Sequence, residues 1–358
     1  MISAVRLRRL AALSLVSLVA SAAWADEVPW HGQFVTPPVR AACDRTATLT
    51  EPAADVPTPA EEQALKDCDS AALYYGIGRP ADPAAARKCA YAQSRRGEGG
   101  PSLAGDPVLA MIYAHGRGVR RSYDQAIRLS CSASWAEAEL DARVAHLLAL
   151  KANPACSGAR SVPADDKGGV CAFDFCDDIT SGAMGGVCSD RDSRLAAVER
   201  QGRLAALQSG WTPGQKTTFA ALNKVMEAYA SAHGGNETDL SGTLRDAFII
   251  EAEDAVKAGF EADLKALAAG QIPTATAADL ARADGALNSA YKAAMSHSYA
   301  DLTGIRPQGI REAERAWIVY RDAFVRFAAA RWPTVSPDAL KAKLTRDRTA
   351  LLTELAEQ

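Results

Sequence analysis

The residues most able to do chemistry in this sequence are eight cysteines: Cys43, Cys68, Cys89, Cys131, Cys156, Cys171, Cys176 and Cys188. All lie before residue 189, and none forms C-x-x-C. Zinc sites draw on closely paired Cys or Cys/His ligands, and redox catalysis draws on C-x-x-C, so disulfides are the expected chemistry. An even number fits that expectation, but spacing alone does not choose the pairing. The other reactive types are scattered. The five histidines, His31, His115, His146, His233 and His297, form no H-E-x-x-H. No G-x-S-x-G elbow, phosphate-binding loop or dinucleotide fingerprint occurs. Asp165, Asp166, Asp174, Asp177, Asp178, Asp190 and Asp192 make one stretch acidic, without the spacing of a calcium loop. They read as a solvated acidic loop. Neither a metal, a cofactor nor a catalytic residue is expected, and the chain reads as a binding protein rather than an enzyme.

The N-terminus supplies an address. Arg6, Arg8 and Arg9 precede an uncharged apolar run, Leu10 to Ala23, and Ala23-Trp24-Ala25 has the small-x-small cleavage pattern. The run is shorter than the ~20 residues of a spanning helix. Residues 1–25 are therefore expected to be a signal peptide, and the mature chain to be periplasmic or secreted, not inserted in the membrane. Export also suits disulfides. Losing three arginines takes the 40 basic residues to 37 against 43 acidic. An acidic chain is a poor nucleic-acid binder, because that affinity rests on basic surface.

These residues must be positioned by helices. Hydrophobic residues make up 48% and charged residues 23%, a globular balance, and no strand-length alternation appears. Thr58-Pro59, Asp82-Pro83, Asp106-Pro107, Thr212-Pro213 and Ser336-Pro337 each join a capping side chain to a proline suited to the first helical position. Thr58 with Glu61 and Thr276 with Asp279 resemble capping boxes. The fold class is all-α: a disulfide-linked helical-hairpin part followed by a Cys-free bundle. The divisions read as an extended arm at 26–57, hairpins at 58–150, a Cys/Gly/Asp-rich connector at 151–192 and a bundle of roughly six helices at 193–358.

Residues 71–91 and 111–131 repeat weakly: Gly76, Gly78 and Ala86 correspond to Gly116, Gly118 and Ala126. Tyr113, Gly116, Gly118, Val119, Tyr123 and Ala126 give residues 106–133 a resemblance to the Sel-like repeats, relatives of the tetratricopeptide repeats. That resemblance implies helical hairpins that grip a protein partner. Bridges such as Cys68–Cys89 or Cys131–Cys156 would tie the hairpins together.

In the second half, Leu287-Asn288-x-x-Tyr291 is followed by Arg315-Ala316-Trp317-x-x-Tyr320-Arg321-Asp322 and by Thr345-x-x-Arg348. On these residues the segment 276–358 resembles the LprI-like lysozyme-inhibitor family of exported helical domains. It departs from the pattern in having Glu314 where Gln is usual and in lacking cysteines. The resemblance implies inhibition of lysozyme, a basic protein, by non-covalent blocking of its cleft.

Read from the residues alone, Trp317, Tyr320, Phe324 and Phe327 share one helical face and belong to a core. Leu287, Asn288 and Tyr291 are structural, with Asn288 placed to satisfy backbone groups between helices. Glu312, Arg315, Arg321 and Asp322 are the partner-binding candidates. Arg321 and Asp322 are sequence neighbours and so are not expected to face each other, although an Arg321 buried beside Trp317 would need a carboxylate. Two functions follow. One is an envelope binding protein whose C-terminal bundle engages a lysozyme or another envelope protein. The other is a periplasmic scaffold whose hairpins at 58–150 hold a partner.

Overall fold

The computed structural model describes residues 29–97, 102–133, 136–157, 162 and 169–357. The expected signal peptide and the pair Asp165-Asp166 lie outside them. Within the described residues there are thirteen α-helices and no strand. No helix among them is long and apolar enough to cross a membrane.

The first core gathers α1 (Pro37–Thr46), α3 (Ser70–Tyr75), α4 (Pro83–Arg95), α5 (Asp106–His115), α6 (Tyr123–Ala133) and α7 (Glu137–Ala152), while α2 (Pro59–Ala64) adds no buried residue and is tied to α4 by ion pairs of Glu61 with Lys88 and Glu62 with Arg95. The local signals act as expected at Thr58, whose hydroxyl accepts from the Glu61 N–H while Glu61 accepts from the Thr58 N–H. Asp82 likewise caps Ala84 and Ala85. Asp106 does not cap α5. Gly105, at φ 65°, precedes the helix, and the Asp106 carboxylate accepts instead from the Ser94 and Ser132 hydroxyls, joining α4, α5 and α6.

The sequence repeat is a repeat of geometry. Asp82 N–H donates to Leu73 C=O at 2.8 Å, and Ser122 N–H donates to Tyr113 C=O at 3.0 Å. Both hairpins turn through left-handed glycines, Gly76 and Gly78 in one and Gly116 and Gly118 in the other. A side chain there would be strained. Ala86 and Ala126 are fully buried, which lets the paired helices approach closely.

Two expectations are corrected here. The arm at 26–57 is not all extended, because α1 forms within it. Val35, Val39, Ala42 and Cys43 are buried and pack α1 onto α6 and α7. That packing brings Cys43 to Cys131, with Cα atoms 5.9 Å apart. Cys131 is therefore not bonded to Cys156, which pairs with Cys171; the remaining bridges are Cys68–Cys89 and Cys176–Cys188.

The connector is clasped to α7 by a buried ion pair. Glu139 and Arg143 are wholly enclosed, 3.4 Å apart. Glu139 accepts from the N–H groups of Thr180 and Ser181, and Arg143 donates to Phe175 C=O while lying over the Phe175 ring. Charges removed from water need such partners. The boundary near residue 192 also shifts: α8 (Gly182–Leu207) runs through it, about 39 Å of continuous helix at 1.5 Å per residue. Its start supports the first core and its end the second.

The second core is built by the end of α8 and by α9 (Pro213–Asn236), α10 (Arg245–Ala268), α11 (Ala277–Ser296), α12 (Pro307–Arg331) and α13 (Pro337–Leu355). Thr212, Thr276 and Ser336 cap α9, α11 and α13 through their hydroxyls. α9 packs along α12, α11 along α13, and α10 against α8 and α9. α10 and α13 flank the bundle and are joined by an ion pair between Asp263 and Lys343.

Candidate functional site

The aromatic row of α12 is core. Trp317, Tyr320, Phe324 and Phe327 are all buried. Tyr320 stacks on Tyr229 of α9 at 5.5 Å between centroids, and Phe260 of α10 meets Tyr320 and Phe324 edge-on. Leu287 is buried and Tyr291 packs at the edge of the same core. Asn288 departs from expectation. It is exposed, and its amide donates to Asp284 C=O in its own helix, so it bridges nothing.

The four partner-binding candidates separate into two kinds. Glu312 and Arg315 are exposed. Arg321 is committed internally: its guanidinium lies 4.9 Å from the Trp317 ring centre and donates to Asp322 at 2.9 Å. The long arginine folds back along the helix to reach its sequence neighbour, which overturns the expectation that the two would not meet. Stacking and desolvation explain the choice, because the half-buried cation needs a nearby carboxylate. Ile318 and Val319 are exposed at 39% and 53%, between Arg315 and Asp322. Arg311, Arg315 and Arg326 outnumber Glu312 and Asp322 on this outward side, so it is cationic.

Beneath α12 lies a charge cluster that sequence reasoning did not find. Arg348, fully buried, donates to both Glu237 oxygens at 2.6 and 2.7 Å and to Glu314 at 3.0 Å. Glu237 also lies 2.7 Å from His233 Nδ1. Burial pushes the Glu237 carboxyl up, but Arg348 and then His233 outweigh it, so its pKa sits below the usual range. Glu314 stays above its usual value because burial dominates there. Burial also pushes Tyr229 up to about 12. The signals available were Glu314 in place of Gln and Thr345-x-x-Arg348; what paired them was invisible.

Between α10 and α13 the same residues floor a cleft of about 480 Å³. Tyr229, Phe260, Trp317 and Tyr320 form its base. Ala255, Gly259 and Ala262 make a low wall on α10, and Leu344, Ala350 and Leu351 face them from α13. The two walls are bridged by Lys343, which donates to Asp263 and lies 2.8 Å from Asp347. Burial holds the Asp263 carboxyl above its ordinary value. Burial also works against the Lys343 charge, but the two aspartates outweigh it and raise its pKa.

Among the described residues no group of three or more His, Cys, Asp or Glu is placed to hold a metal ion. No curated protein and no solved structure matches the chain. Residues 265–352, from the last turn of α10 into α13, match the sequence model of the family described as Lysozyme inhibitor LprI.

Proposed function

We propose that this chain is an exported, non-enzymatic binding protein of the cell envelope whose C-terminal bundle inhibits a lysozyme by non-covalent association. The family match over 265–352 carries this reading. Export is supported by the four disulfides, a chemistry of oxidising compartments. The acidic net charge, −3 for the whole sequence, favours encounter with a basic partner. The test is a lysis assay in which the oxidised chain is titrated against a c-type lysozyme. Dose-dependent protection of the cell wall is the expected result, and undiminished lysis at high excess overturns the inhibitor reading.

A second reading keeps the Sel-like resemblance of the hairpins and makes the first core a scaffold for an envelope partner. It is favoured by a cleft of about 680 Å³ beside the second hairpin turn, lined by Asp55, Arg87, Gly118, Arg120, Arg121, Asp124 and Lys151. Capture of a partner by Arg120→Glu as efficiently as by the unaltered chain would remove that support.

A further inference from the structure

We infer that the cavity at the junction of the first core with α8 and α10 is a binding site for an alkyl ammonium or guanidinium group, a site independent of the inhibitor reading. The cavity, about 620 Å³, lies where α3, α4 and residues 102–104 meet the two long helices. Its charge is lopsided. Asp69, Asp190 and Asp246 line it together with Arg191 and Arg194. Arg191 is already engaged by Asp174 at 2.6 Å and Asp192 at 2.9 Å. Arg194 pairs with Asp69 at 2.5 Å and lies 3.9 Å from Asp190. Asp246, exposed in the first turn of α10, has no ion-pair partner among the described residues. Three carboxylates thus share the charge of one arginine, and two are left over for a cation. Gly186 admits the last of them: a Cβ there would lie 2.9 Å from Asp246 Cβ, so glycine lets the start of α10 close on α8 at this point.

A second feature asks for the same chemistry. Gln93 of α4, only 6% exposed, lines the cavity, and its amide N–H donates to Cys68 C=O at 3.1 Å. Among the described residues its Oε1 accepts no hydrogen bond. An enclosed acceptor left unpaired is costly. This carbonyl and the two spare carboxylates can only accept, and the side-chain groups that donate without accepting at a positive charge are the ammonium and the guanidinium. Half-buried Val187 and Ile250 offer a methylene stem an apolar surface. The volume, about 620 Å³, lies in the range of ligand sites, roughly 300–1,000 Å³. The group has two possible sources, a free polyamine or a lysine or arginine side chain of a basic protein.

Spermidine is the small probe and butyrate the anionic control, each titrated calorimetrically into the full-length, oxidised chain. A c-type lysozyme is the protein probe. Asp190→Asn/Asp246→Asn removes the spare charges with side chains of the same shape, and Gln93→Leu removes the orphan acceptor. Asp301→Asn/Asp338→Asn takes the same two charges from exposed positions outside the cavity. Folding is followed by circular dichroism, and the asparagine variant carries the test by itself if Gln93→Leu does not fold. Spermidine should bind the unaltered chain and butyrate should not. Asp190→Asn/Asp246→Asn and Gln93→Leu should each weaken spermidine by about tenfold or more, with the control pair within about twofold. Lysozyme weakened in parallel with spermidine supports the site and assigns the group to a protein side chain. Spermidine lost with lysozyme unaffected supports the site and assigns the group to a free amine. Spermidine left unbound by the unaltered chain, or bound equally by the folded Asp190→Asn/Asp246→Asn variant, overturns the site and leaves the inhibitor reading untouched.

Discussion

Arg348 of α13 and Glu237, one residue past the end of α9, join two helices through a bidentate pair sealed from water at 0% and 1% side-chain exposure. Arg348 belongs to the segment that matches the inhibitor family, and Glu237 lies outside it. The matched segment therefore depends on its flanking helix for a buried charge partner. Removing one member of such a pair leaves the other uncompensated, at a cost of about 3–5 kcal/mol. Arg348→Met and Glu237→Gln should each lower stability by that order in denaturant unfolding. The double variant Arg348→Met/Glu237→Leu should lose less than the sum, because no orphan charge remains between these two positions.

Truncation extends the same logic. Residues 276–358 alone lack Tyr229, Phe260 and Glu237, so the α12 aromatic row and Arg348 lose their partners. With typical total stabilities of about 5–15 kcal/mol, those losses should leave the fragment unfolded. Residues 193–358 keep all three and should fold. Circular dichroism and thermal melting of the two fragments separate the cases, and a cooperative melt from 276–358 would refute the dependence.

Acid should act first on the disulfide-linked part. Phe173 N–H donates to His115 Nε2 at 3.0 Å, so Nε2 is an acceptor and Nδ1 carries the proton toward Tyr74 Oη at 2.6 Å. Burial, aided by Arg117, pulls the His115 pKa down to about 4 from its usual 6.5. The unfolded chain takes up a proton near pH 6.5 that the folded chain refuses until about pH 4. Stability is complete above the higher value and falls as pH drops between the two, by roughly 3 kcal/mol. Chemical denaturation at a series of pH values should show this slope, and His115→Gln should flatten it.

The disulfides should contribute unequally. Cys43–Cys131 closes a separation of 88 residues and Cys176–Cys188 one of 12. Loop-closure entropy assigns about 4–5 kcal/mol to the first and about 3 to the second. Replacing Cys43 and Cys131 by Ala should therefore lower the unfolding midpoint of the first core more than replacing Cys176 and Cys188. The second core holds no cysteine, so its unfolding should be unchanged by reductant.

The sequence by itself determined the elements. Thr58, Thr212, Thr276 and Ser336 announce helix starts because a cap is a bond to a backbone N–H about three residues away. The row Trp317, Tyr320, Phe324 and Phe327 declares a buried face because helical periodicity is equally local. The repeated glycine turns are legible for the same reason. Tertiary structure decided everything that joins distant segments. Cys43 meets Cys131 only because α1 folds onto α6, and the same is true of Asp106 bridging serines where a cap was expected. Glu314 finds Arg348, and Lys343 of α13 draws Asp263 of α10 and Asp347 of its own helix around it, only after helices are set side by side. Such pairings depend on which faces are brought together in space, and no spacing along one chain encodes that directly.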